Sequence, residues 1–140
     1  MNNNKKVCEL PSSTVDVLIV GNGPVGATIA ALLGRYGVTT LVLDKLHEIV
    51  LMPRAIALDN EALRILQLAG LSEDAFEKIV IPEVKMHSPV LGQFGRANTE
   101  GCIDGHPKLV TFYQPDLERA MRGQVSRLKS VTSLGGFELE

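Results

Sequence analysis

Gly21-Asn22-Gly23-Pro24-Val25-Gly26 carries the spacing GxGxxG near the amino end of a 140-residue chain. Chemistry that needs glycines at this spacing is the binding of a dinucleotide pyrophosphate by main-chain amides. Gly21 permits a tight turn, Gly23 lets a phosphate come up to the backbone, and Gly26, with Ala30 one turn on, lets a helix lie close to a sheet. Pro24 stands where proline is tolerated, in the first turn of a helix. Asp44 follows Gly26 by 18 residues, near the spacing of about 20 at which an acid meets a ribose. A carboxylate there accepts hydrogen bonds from ribose hydroxyls and disfavours a 2′-phosphate. The spacing alone is common, and glycines that merely shape a loop would give the same letters. The flanking elements supply the specificity.

Those elements read as one βαβ unit. Val15 to Val20 is a short apolar, β-branched run, suited to a parallel strand buried on both faces. Val25 to Tyr36 is apolar almost all round, which predicts a sandwiched helix, and Gly37 ends it. Thr39 to Leu43 is a second β-type run that delivers Asp44 at its end. Strand, glycine turn, helix and strand in this order require a crossover between parallel strands.

Further on, Asp59 is placed to cap a helix over Asn60 to Ala69, with Leu63, Leu66 and Ala69 or Ala62 facing inward and Gly70 stopping it. Ser72 is placed to cap another, with Phe76, Ile79 and Val80 inward and Glu73 and Asp74 beside the positive end of the dipole. Residues 89–108 read as loop or short irregular strand, and Leu109 to Phe112 as strand. Pro115 starts a helix to about Lys129, striped by Leu117, Met121, Val125 and Leu128. Val131 to Leu134 reads as strand and Gly135-Gly136 as a turn.

Bulk properties narrow the classes of function. The length suits one domain with a real core. The formal net charge is −2, without the basic footprint of a nucleic-acid or anionic-membrane partner. No stretch has the length and apolarity of a membrane span or signal peptide. Cys8 and Cys102 are far apart and outside any CxxC pair, so free thiols in a reducing cytoplasm are expected. His47, His87 and His106 have no metal-ligand spacing, and no metal site is expected.

Periodicity does not separate FAD from NAD. The segment between Asp44 and the strand at Val131 is informative, because a plain nicotinamide domain reaches its next strand after one more crossover. Here a long excursion intervenes, with Arg54 in Met52-Pro53-Arg54-Ala55 and the helix-opening pair Gln114-Pro115. The stretches VDVLIVGNGPVGATIAALLGRYGVTTLVLDK, PRAIALDNEALRILQLAGL and FYQPDLERAM, in this order, resemble the FAD-dependent aromatic-ring monooxygenases of the p-hydroxybenzoate hydroxylase type. The likeness is strongest to the branch of 3-(3-hydroxyphenyl)propionate and phenol hydroxylases.

The resemblance implies an α/β, Rossmann-like FAD-binding fold, with a parallel sheet flanked by helices and incomplete at its carboxyl end. It implies FAD as cofactor, NAD(P)H as reductant and a small phenolic or related aromatic substrate. By position, Gly21, Gly23, Pro24 and Gly26 would meet the pyrophosphate, and Asp44, with Lys45 beside it, the adenosine ribose. Arg54 would reach toward the phosphates, and Gln114 would hydrogen-bond the central part of the flavin. Family members more often carry Glu at the position of Asp44. Their Asp-Gly and Gly-Asp flavin motifs and their substrate-binding sheet domain have no counterpart here; Asp104-Gly105 comes too early. Residues 1–13 are therefore read as a flexible leader and 14–140 as the amino-terminal part of an FAD-binding domain. The chain alone is expected not to be catalytic, and a homodimer is an expectation for a full-length form. Another FAD- or NAD-dependent oxidoreductase, or a non-catalytic nucleotide-binding fragment, are the alternatives.

Overall fold

A computed structural model describes residues 14–139; the expected leader lies outside them. In chain order the elements are β1 (Val17–Val20), α1 (Pro24–Arg35), β2 (Thr40–Asp44), β3 (Ala57–Asp59), α2 (Asn60–Leu68), β4 (Lys78–Val80), β5 (Glu83–Ser88), β6 (Gly92–Asn98), β7 (Cys102–Ile103), β8 (His106–Pro107), β9 (Leu109–Phe112), α3 (Gln114–Val125) and β10 (Val131–Gly135).

The βαβ unit forms as its pattern predicts. β1 and β2 pair in parallel, Val17 opposite Thr40 and Val20 opposite Leu43. β10 joins the other side of β2, also parallel, with Gly135 opposite Asp44. The order β1-β2-β10 makes β2 the middle strand, and Val42 at its centre is wholly buried. Gly37, at φ +74°, closes α1 by donating its N–H to the Gly34 carbonyl, as a glycine beyond a helix end does.

α3 ties this sheet to a second one. Its stripe of Leu117, Met121 and Val125 meets Ala27, Ala30 and Ala31 of α1 and Val42 of β2 in one core cluster, which continues to Leu63 and Leu66 of α2 and Val110 of β9. Val110 belongs to an antiparallel sheet of order β3-β9-β4. Asp59 caps α2, its carboxylate accepting the Ala62 N–H at 2.8 Å. Phe76 stands edge-on to Phe112 at 6.0 Å between ring centroids.

Four expectations are corrected. β1 is not buried on both faces: Leu18 and Val20 stand 49% and 61% exposed. β1 is an edge strand among the described residues, and the core cluster that joins α1, α3 and Val42 takes in Ile19 of β1 but not Leu18 or Val20. For the same reason α1 is half exposed rather than sandwiched, and Val25 is 73% exposed. The helix expected from Ser72 is a single turn, Ala75 N–H to Ser72 O. Beyond it Lys78–Val80 runs as β4 against β9, with Ile79 and Val80 exposed rather than inward. β-Branched residues with an open strand partner favour that outcome. Finally, α3 stops at Val125, beyond which Arg127 and Leu128 donate to carbonyls three residues back, those of Gln124 and Val125, rather than near Lys129. Within residues 89–108, read as loop or short irregular strand, Gly92–Asn98 forms β6 and pairs in a hairpin with β5, which precedes that segment.

Candidate functional site

The glycine loop lies where β1 meets α1, at the carboxyl ends of the parallel strands. Gly21 adopts φ +101°, a region favourable only to glycine, and donates its N–H to the Leu43 carbonyl at 2.7 Å. A Cβ on Gly26 would lie 2.0 Å from the Gly21 carbonyl oxygen, so only glycine lets the helix start this close to the strand it leaves. A Cβ on Gly23 would meet nothing within 4 Å. That open side is where an anion can approach. Pro24 begins α1, whose first turn has no side-chain cap. Among the described residues, the first hydrogen bond back from the helix is Ala27 N–H to Gly23 O. Free amides and the helix dipole there together favour a negative charge.

Asp44 reaches this loop. Its Oδ2 accepts the Asn22 N–H at 2.6 Å and its Oδ1 the Leu46 N–H at 2.8 Å. Each carboxylate oxygen keeps a further lone pair, so the acid can fix the loop and still accept from a ribose. Asn22 is buried and its amide nitrogen donates to Ser133 Oγ at 2.9 Å.

Across the cleft, Gln114 opens α3. It is buried, and its Oε1 accepts two main-chain amides, Arg54 N–H at 2.7 Å and Ala55 N–H at 2.8 Å. Its Nε2 donates to the Glu118 carboxylate at 2.7 Å. The side chain thus pins the Pro53–Ala55 loop to α3. The Arg54 and Lys45 side chains are exposed.

All eight residues singled out in the sequence (Gly21, Gly23, Pro24, Gly26, Asp44, Lys45, Arg54 and Gln114) line one cleft of about 850 Å³. Residues missed by sequence reasoning also line it. Glu118 and Arg122 follow Gln114 at successive intervals of four on α3, a spacing that stacks side chains on one helix face and was the available signal. Arg122 donates from Nε to the Asn22 carbonyl at 3.3 Å and from Nη1 to the His47 carbonyl at 3.4 Å. His106 and Cys102 are not brought here: they line a separate cleft of about 790 Å³, where His106 Nε2 lies 3.2 Å from Gln67 Oε1.

The arrangement fits a dinucleotide. It offers an unobstructed approach at Gly23, uncapped helix amides, an acid at the end of β2 and an Arg-bearing loop on the opposite wall. Among the described residues no helix is long and apolar enough to cross a membrane.

Comparison with known proteins agrees with this geometry. Residues 14–136 match the family described as FAD binding domain. The chain is 38% identical over 133 residues to a 3-(3-hydroxy-phenyl)propionate/3-hydroxycinnamic acid hydroxylase of Escherichia coli (strain K12), covering 91% of this chain and 23% of that protein. The enzyme of the same name from Comamonas testosteroni is 39% identical over 126 residues, covering 89% of this chain and 21% of its own length. The chain thus spans under a quarter of either relative. Among solved structures, the flavin-dependent monooxygenase PieE in complex with FAD and substrate superposes with a TM-score of 0.65 at 25% identity, covering 91% of this chain and 24% of that one. The p-nitrophenol 4-monooxygenase PnpA of Pseudomonas putida DLL-E4 shares the fold, with a TM-score of 0.72 at 21% identity over 86% of this chain and 31% of that one. Match, glycine loop and cleft agree, and the chain belongs to the FAD-binding domain family.

Proposed function

We propose that this chain forms the FAD-binding part of an NAD(P)H-dependent flavoprotein monooxygenase that hydroxylates a small phenolic or related aromatic substrate. The observation that carries the reading is the glycine loop, turned at Gly21, open at Gly23 and latched to Asp44. In this reading bound FAD supplies the redox and oxygen chemistry that side chains lack. The chain's own residues bind and orient. Amides at Gly23 and the start of α1 face the pyrophosphate, and Asp44, with Lys45 beside it, accepts the ribose hydroxyls. Arg54 brings a permanent charge toward the phosphates. Gln114 holds the main chain that carries Arg54 and closes the wall on the flavin side.

The substrate class and the reductant are taken from the named activity of the relatives. This part alone binds the cofactor without turning over substrate. A cytoplasmic setting and a homodimer of the longer enzyme complete the proposal.

Titration of the purified chain with FAD and with NADH, each followed by fluorescence, tests it. Saturable FAD binding, abolished by Gly23→Val or Asp44→Ala, is the expected result. Saturable NADH binding without FAD binding would replace the flavin reading with a nicotinamide one.

A further inference from the structure

Asn22, the residue between the first two glycines, is held by polar contacts on three sides, and the glycine pattern assigns it no role. Its main-chain N–H goes to Asp44 Oδ2, its side-chain amide to Ser133 Oγ, and its carbonyl accepts Arg122 Nε. It is only 7% exposed, and its Oδ1 is buried without a hydrogen-bond partner among the described residues. Behind it lies a pocket of about 290 Å³, lined by Asn22, Asp44, His47, Arg122 and Ser133 among others. Arg122 lines this pocket and the main cleft alike. No carboxylate pairs with it among the described residues. Instead its planar fork spans two main-chain carbonyls, those of Asn22 and His47, from segments that follow different strands.

We propose that Arg122 is a positioning residue: it clamps the glycine loop to the segment after β2 from behind, so that the pyrophosphate-facing amides are in place before the cofactor arrives. Arg122 acts through Asn22 and need not touch FAD. The two contacts are long for hydrogen bonds, so each is weak. Their value lies in fixing relative position, since a loop already ordered in its binding conformation loses less entropy on binding. Guanidinium is the side chain that can do this, because its donors diverge rigidly from one plane; an ammonium presents a point charge. A purely electrostatic role would treat lysine as equivalent.

The test has an arm that needs no cofactor. Amide hydrogen exchange is measured on the ligand-free chain for the wild type, Arg122→Met, Arg122→Lys and Asn22→Ala. The clamp predicts that exchange at Asn22 and Leu46 speeds up by about tenfold in Arg122→Met, an opening easier by about 1.4 kcal/mol. Arg122→Lys should not restore the slow rate, while exchange in α2 and β9 stays unchanged. Asn22→Ala, which keeps the carbonyl but loses the Ser133 anchor, should speed the loop to a similar degree. Wild-type exchange in Arg122→Met, or full rescue by lysine, would overturn the proposal. The second arm rests on the FAD reading: dissociation constants for FAD should rise about tenfold in Arg122→Met without a change in melting temperature. If the wild-type chain does not bind FAD, the cofactor reading fails and the exchange arm still decides the clamp.

Discussion

At the scale of single residues, two glycines of one motif perform separable tasks. Gly26 is needed by the fold, because a Cβ there would sit 2.0 Å from the Gly21 carbonyl oxygen, a main-chain atom that cannot swing aside. Gly23 has φ −79°, which any residue adopts, and open space around it. Gly26→Ala should therefore lower stability by at least about 1–3 kcal/mol through overpacking. Gly23→Ala should leave the ligand-free melting temperature within a degree or two, yet weaken FAD by filling the approach. Thermal melting of both variants, with and without FAD, separates the roles; equal destabilisation by the two would contradict this division. The glycines and Asp44 were legible in the sequence because local geometry alone dictates their types. The partners of Gln114 were not. Its contacts with Arg54 and Ala55 span about 60 positions, and only the folded chain tells that its amide oxygen is spent on the main chain and its nitrogen on Glu118. Asn22 and Arg122 escaped notice for the same reason, since nothing local marks a guanidinium that reaches a carbonyl 100 residues away.

At the scale of elements, the segments with strong local signals form where expected. α2 follows its Asp59 cap and α1 its proline and glycine limits, and β2 follows its β-branched run. Elements defined by a distant partner were harder to read. Ile79 and Val80 suit either helix or strand, and β9 decides for strand by offering hydrogen bonds. The β5–β6 hairpin was obscured by Gly92 and Gly95, which weaken strand propensity; Met86 lies over Gly95 and makes the pairing workable. This hairpin is largely exposed, and Glu83 ties it together, with Oε1 2.8 Å from Lys85 Nζ and Oε2 2.6 Å from Arg96 Nε. The hydrogen bond from Lys85, aided by the charge of Arg96, holds the Glu83 carboxyl below the usual glutamate range despite some desolvation. A carboxyl whose pKa is lowered by folding stabilises above its unfolded value of about 4.3, and the contribution is lost as pH falls through the lowered value. Amide protection in β5 and β6 should therefore decline as pH drops below about 4.3, while protection in β2 holds. Glu83→Gln should remove that dependence. Unchanged hairpin protection down to strongly acidic pH would show that these pairs contribute nothing.

At the scale of the whole molecule, the candidate site depends on segments that meet only after the chain has gone out and come back. β2 receives β1 from one side and, nearly 90 residues later, β10 from the other. α3 carries Gln114, Glu118 and Arg122 to the cleft while its apolar stripe buries against α1. The return is checked at Gly34, near the end of α1. A Cβ there would lie 2.6 Å from Val131 Cγ2 and 2.7 Å from Leu128 Cδ1, the residues that lead α3 into β10. Two effects oppose each other in Gly34→Ala. Alanine gains up to about 1 kcal/mol of helix propensity, whereas overpacking costs about 1–3 kcal/mol. Val131 is stiff and already paired with Thr40 in the sheet, so it yields little, and the overpacking cost should win. Leu128→Ala alone should also destabilise, by loss of apolar contact. If the steric account is right, the double variant should be more stable than the sum of the two changes predicts, by about 0.5–3 kcal/mol, as expected for residues in contact. A denaturant-unfolding cycle on the four proteins measures the coupling. Strict additivity would mean that Gly34 is tolerated for the helix alone and that the seam between α1 and the α3–β10 return does not set the closure of the sheet.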